Sequence, residues 1–162
     1  MLLPALVLYN LVCTVTLLLL VYKHPRFMMQ DYPPEILENV PPKTDLEKRA
    51  SLIFGLPFLL AILIYPLIFG FINKFTLEAD FLRNWLDIFL LMGSFNLFDL
   101  LVLDWLVFCT LTPPLFVLPG TEGHPGYKNY RFHLIAFLKG MLFVAAGSVL
   151  FAGFIEGIAL IL

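Results

Sequence analysis

Residues 85–112 read WLDIFLLMGSFNLFDLLVLDWLVFCTLT. A helix needs about 20 predominantly apolar residues to cross a bilayer, and this run is long enough to do so. It nevertheless carries Asp87, Asn96, Asp99 and Asp104, and it stops only at Pro113-Pro114. Residues 2–22, 50–72 and 134–160 are three further runs of that length and character. Pro57 and Pro66 lie inside the second run, where a membrane helix tolerates them with a kink. The 162 residues are 60% hydrophobic and 14% charged, whereas soluble domains average about 45–50% and about 25%. The expected fold is all-α, a single domain over 1–162. It is an integral membrane four-helix transmembrane bundle with a structured cytoplasmic loop face.

The remaining bounds follow from the same composition. A net charge of -2 argues against a nucleic-acid partner, and the lipid bilayer is the expected environment. Cys13 and Cys109 lie in apolar runs with no CxxC spacing, so they read as small hydrophobes. No basic residue precedes Lys23, so the first run lacks the positive n-region of a cleavable signal and is expected to stay as a span. Lys23, Arg26, Lys43, Lys48 and Arg49 fall in the first connection and Lys128 and Arg131 in the third. The second connection holds only Lys74 and Arg83. The positive-inside rule then places connections one and three in the cytoplasm and both termini outside, in the cell membrane.

Local signals mark the connections. Thr44-Asp45-Leu46-Glu47 fits a capping box that starts the second helix. Thr76 is positioned to cap an interfacial helix carrying Leu77, Phe81 and Trp85 on one face. Ala136 with Gly140, and Gly153 with Gly157, give the fourth run small-residue faces. Such faces suit close helix packing within the chain, a homo-oligomer or a partner membrane subunit.

Chemistry is sought where charge sits at membrane depth. At a rise of ~1.5 Å per residue, Asp104 lies about 12 Å and Lys139 about 9 Å inside the cytoplasmic ends of their helices, which predicts an Asp104–Lys139 ion pair. Asp99 lies about 20 Å in, level with Asn10. At 100° per residue, Asn96 shares the face of Asp99, and Asp104 is rotated roughly 140° from Asp99 but about 80° from Asn96, so the three occupy one broad face expected to turn toward the bundle interior. Asn10, Asn96, Asp99, Asp104 and Lys139 are therefore the transport or ion-binding candidates. The loop Pro119-Gly120-Thr121-Glu122-Gly123-His124-Pro125-Gly126-Tyr127 leads to a second group. Asp104, Glu122, His124 and His133 are the catalytic candidates, and Glu122, His124 and His133 the metal candidates. Lys128 and Arg131 are the anion-binding candidates. His24, His124 and His133 all fall at one edge, a poor arrangement for haem between helices, and no other cofactor is indicated.

Three functions fit. The first is a small proton- or cation-coupled transporter using the intramembrane acids. The second is a non-catalytic accessory or assembly subunit whose acids meet a partner's basic residues. The third is a membrane-embedded enzyme acting on a lipid-borne substrate at the cytoplasmic interface.

Overall fold

A computed structural model describes residues 1–23 and 25–162, so the placement expected for His24 lies outside the described residues. Among these the chain is helical and has no strand. Helix α1 spans Leu2–Lys23, the short α2 Pro34–Leu37, α3 Asp45–Leu77, α4 Phe81–Phe98 and α5 Tyr130–Ala159. Helix α4 continues without a break into a π-helical segment, Asp99–Leu111. Together these form four helices long and apolar enough to cross a membrane, matching the four expected runs.

Local chemistry explains the ends. The capping box forms, with Glu47 N–H donating to Thr44 Oγ1 at 3.2 Å and Thr44 N–H to Glu47 Oε2 at 2.7 Å. It starts α3 at Asp45, and the helix runs unbroken through Pro57 and Pro66. The expected cap at Thr76 is not used, because α3 continues past it to Leu77 and closes on Glu78, whose φ of 53° is left-handed. Asp80 takes the capping role for α4, accepting from Arg83 N–H at 2.8 Å, as its carboxylate can. At this end of the bundle Asp87 accepts from Arg83 Nε at 2.9 Å and Asn73 Nδ2 at 3.2 Å, while Lys74 pairs with Glu156 at 2.7 Å.

Helices α3 and α4 form the central pair, each packing on α1 and on α5. Tyr9, Cys13, Phe69, Leu91 and Phe95 make one core between α1, α3 and α4, and Ile88, Ala152 and Ile155 make another between α4 and α5. Gly140 allows α5 to approach Asn96, since a Cβ there would stand 2.6 Å from Asn96 Oδ1. Gly153 and Gly157 meet nothing within 4 Å. Much of the apolar surface faces outward, with only 11% of the most apolar stretch of α3 or of α5 buried.

The first and third connections fold onto one another at the same end of the bundle. Their shared core is Met29, Tyr32, Ile36, Val40, Leu118 and Tyr127, packed on Phe108 and Cys109 of the π-helical segment. Asn129 Nδ2 ties them by donating to Glu35 Oε1 at 2.6 Å. Lys128 Nζ donates to Cys109 O at 2.6 Å, Thr110 O at 3.0 Å and Thr112 Oγ1 at 3.0 Å, satisfying carbonyls that the helix end leaves open. The ammonium expected to meet an anion is thus spent on closing a helix. Lys128→Met is expected to lower stability by about 1.5–3 kcal/mol, the range for hydrogen bonds to a charged group. Denaturant unfolding in detergent checks this, and an unchanged midpoint would show that the ammonium has no such role.

Candidate functional site

The site depends on the change of helix type after Phe98. An α-helix turns once in 3.6 residues, whereas a π-helix bonds i to i+5 and takes more residues per turn. Residues five apart therefore fall on one broad face. Asp99 and Asp104 are five apart, as are Leu103 and Phe108, and all four line one cavity of about 200 Å³. The rotation of roughly 140° expected between the two acids assumed 100° per residue and is corrected by this geometry. No glycine or proline occurs between Asp99 and Leu111 to announce it.

The cavity lies beneath the folded connections. Helix α1 contributes Leu17, Leu18 and Val21, α3 contributes Phe58, and the first turns of α5 contribute Phe132, His133 and Ala136. From the first connection come Met28, Gln30, Asp31 and Tyr32. Among the described residues, three carboxylates and one imidazole thus converge on a largely apolar wall, and no Lys or Arg lines it.

His133 is only 2% exposed. Its Nδ1 stands 3.1 Å from Asp104 Oδ1, and its ring packs against Phe108 and Phe132 with centroids 4.9 and 5.2 Å away. A carboxylate at that distance favours the proton on Nδ1. Nε2 is buried without a hydrogen-bond partner. The structure therefore gives Asp104 a different partner from the expected Lys139, which is exposed on α5. The reason lies at the start of α5, where Asn129 Oδ1 accepts from Phe132 N–H at 3.0 Å. That cap starts the helix at Tyr130 and carries His133 inside the bundle instead of leaving it at the edge.

The Asp99 carboxylate has no hydrogen bond or ion pair with any described residue, while its backbone N–H stays in the helix on Phe95 O and Asn96 O. Asn10 donates from Nδ2 to Ser94 Oγ and to Leu6 O, both at 2.8 Å, and Asn96 Nδ2 donates to Phe137 O at 3.1 Å. The expected grouping of both asparagines with Asp99 is not formed. They tie helices together, and Asp99 is left to the cavity.

The loop candidates separate from this site. Glu122 and His124 border a second, more open depression of about 430 Å³ together with Lys128. Glu122 Oε1 accepts from Gly120 N–H at 3.2 Å and His124 Nδ1 from Gly126 N–H at 3.0 Å, so both shape the loop itself. Arg131 is exposed. Glu122 and His124 do not join His133, and no three His, Cys, Asp or Glu among the described residues group closely enough to hold a metal ion.

Asp31 and Gln30 are site residues that sequence reasoning missed. The available signal was an acid set between Phe27-Met28-Met29 and Tyr32, an apolar setting for a connection. Asp31 is exposed yet lines the cavity, which places it at the opening, and Gln30 Nε2 donates to its Oδ2 at 3.2 Å. Crowding by protein, and then the negative charge of Asp104, push its carboxyl up to about 6, from an ordinary value of about 3.9. A raised folded-state pKa means that the folded chain holds this proton more tightly than the unfolded chain. The contribution to stability is full below about pH 4 and is lost as pH rises toward 6. Thermal unfolding should therefore show a smaller drop in Tm from pH 4.5 to 7.5 in Asp31→Asn than in the wild type, and an identical drop would refute the assignment.

Comparison with protein-family models, with curated proteins and with solved structures finds no match to this chain.

Proposed function

We propose that this chain is an integral membrane protein and a small proton- or cation-coupled carrier, with the acidic cavity as its binding site. Membrane insertion is supported by the outward apolar surface of the four long helices, including Leu52 at 76%, Leu142 at 73% and Phe143 at 78% exposure. Surfaces of that kind are stable against lipid and not against water. The basic residues of the first and third connections put the folded connections in the cytoplasm and both termini outside, in the cell membrane. The open stretch of α5 at Gly153 and Gly157 is the face for a second membrane helix, whether from another copy or a partner subunit.

The observation that carries the carrier reading is Asp99. A charge at helix centre costs roughly 2.5–3.5 kcal/mol even on the lenient insertion scale, and no described residue pairs with it. The same cavity is lined by Asp104, His133 and Asp31, groups that take up and release protons or attract cations. The purified protein in liposomes should collapse an imposed pH gradient faster than protein-free liposomes. A gradient that decays no faster than in protein-free liposomes, with sodium and with potassium as counter-ion, would end the reading.

One observation favours a membrane-embedded enzyme as the second reading. A carboxylate set on Nδ1 of a buried histidine is the arrangement that makes the other ring nitrogen a general base. The residues assigned to that role are then Asp104 and His133, without Glu122 and His124.

A further inference from the structure

We propose that the ligand of the acidic cavity is a small amphiphilic ammonium ion, a protonated primary amine carrying a short apolar tail. The inference rests on the reading of this cavity as a cation site and names what that site takes.

Hydrogen-bond accounting gives the head group. The donors at the cavity are already engaged. Tyr32 Oη donates to Phe116 O at 2.7 Å, Gln30 Nε2 to Asp31, and His133 Nδ1 faces Asp104. The groups left without partners are the Asp99 carboxylate, an acceptor, and the buried Nε2 of His133, which accepts while the single ring proton sits on Nδ1 facing Asp104; His133 is 2% exposed, and both side chains form part of the wall. Buried polar groups without partners in a native fold call for a ligand, water or ion. A ligand that complements acceptors beside acids must bring N–H donors and positive charge. An ammonium has three donors and no acceptor.

The walls give the rest of the molecule. Phe58, Phe108, Phe116 and Phe132 with Leu17 and Leu18 surround the acids. They offer apolar contact for a tail and ring faces that attract a cation. A bare divalent ion fits poorly, since calcium takes six to eight oxygen ligands and no three-residue metal group is present among the described residues. The volume of about 200 Å³ equals about seven waters at ~30 Å³ each. That is room for one small amine and falls below the usual range of about 300–1,000 Å³ for sites of drug-sized ligands.

The test is equilibrium binding to the full chain in lipid nanodiscs, with empty nanodiscs subtracting the partition of each probe into lipid. The probes are 2-phenylethylamine, n-hexylamine and the uncharged isostere 2-phenylethanol. Saturable binding of at least one amine, at least tenfold tighter than the alcohol, is expected. Asp99→Asn should remove that preference and Asp99→Glu should retain it, with helicity checked in both variants. Equal binding of alcohol and amine, no amine bound beyond the empty nanodiscs, or a preference that survives Asp99→Asn would each overturn the inference. Amine binding without dissipation of a pH gradient keeps this inference and ends the carrier reading. Proton flux without amine binding does the reverse.

Discussion

Asp99→Asn is expected to abolish coupled flux while making the protein more stable. Asparagine keeps the shape of the side chain and removes its charge. Where the carboxylate is the counter-charge to a bound cation in a low-dielectric cavity, losing one member of such a pair costs about 2–5 kcal/mol. At 1.4 kcal/mol per factor of ten, that corresponds to a loss of roughly 30-fold to several thousand-fold. The unfolding midpoint should move the other way, because an acid with no partner among the described residues is a cost to the empty fold. Opposite signs in the two measurements mark a functional acid. A purely structural acid would lose stability on substitution and leave flux untouched. Asp104→Asn provides the contrast, since it removes the contact with His133 and should lower stability and flux together.

The second large effect concerns the connections that close the cavity. Tyr127 is 1% exposed, with its ring 5.4 Å from that of Phe108 and 6.3 Å from that of Tyr32. Its hydroxyl accepts from Leu118 N–H at 2.9 Å and pairs with Thr121 Oγ1 at 2.7 Å. Truncation therefore empties a packed site and leaves a buried N–H unmatched. Tyr127→Ala is expected to cost about 3–5 kcal/mol, the range for large aromatic truncations. Tyr127→Phe should cost about 1–3 kcal/mol, the penalty for one unsatisfied buried group. The effect should be local first, so limited proteolysis should cut residues 113–129 in Tyr127→Ala before helicity falls. A loss below about 1 kcal/mol for the alanine variant would show that the connections do not share a core.

How much of this was legible in the sequence follows from which signals are local. Apolar length located the four long helices, and the spacing from Thr44 to Glu47 located the start of α3. The acids at membrane depth identified Asp99 and Asp104 as the residues to examine, and both line the cavity. What failed was angle and partner. One broad face for Asn96, Asp99 and Asp104 is legible at 100° per residue, but a π-helix is an altered hydrogen-bond register along residues that also suit an α-helix, so the smaller angle between the two acids leaves no trace in apolar periodicity. His133 falls at the edge when the fourth helix is taken to begin at Leu134, and the Asn129 cap that starts it at Tyr130 carries no strong signal beside the Gly/Pro-rich loop. Asp31 gives no signal by membrane depth, since this acid reaches the cavity from a connection. Lys128 was read as a free cation because the carbonyls it closes belong to a helix end about 18 residues away.

The π-helical turn brings Asp99 and Asp104 together in one cavity with His133, opening to solvent at Asp31. Solid-state NMR of aspartate- and histidine-labelled protein in bilayers tests it directly, with each aspartate carboxyl carbon assigned by its Asn variant and magnetisation transferred from water. Rapid transfer to the carboxyl carbons of Asp31, Asp99 and Asp104 is expected, with a through-space correlation between Asp104 and His133. An Asp99 carboxyl that stays dry while Asp104 is wet, the pattern of an α-helical register, would contradict it.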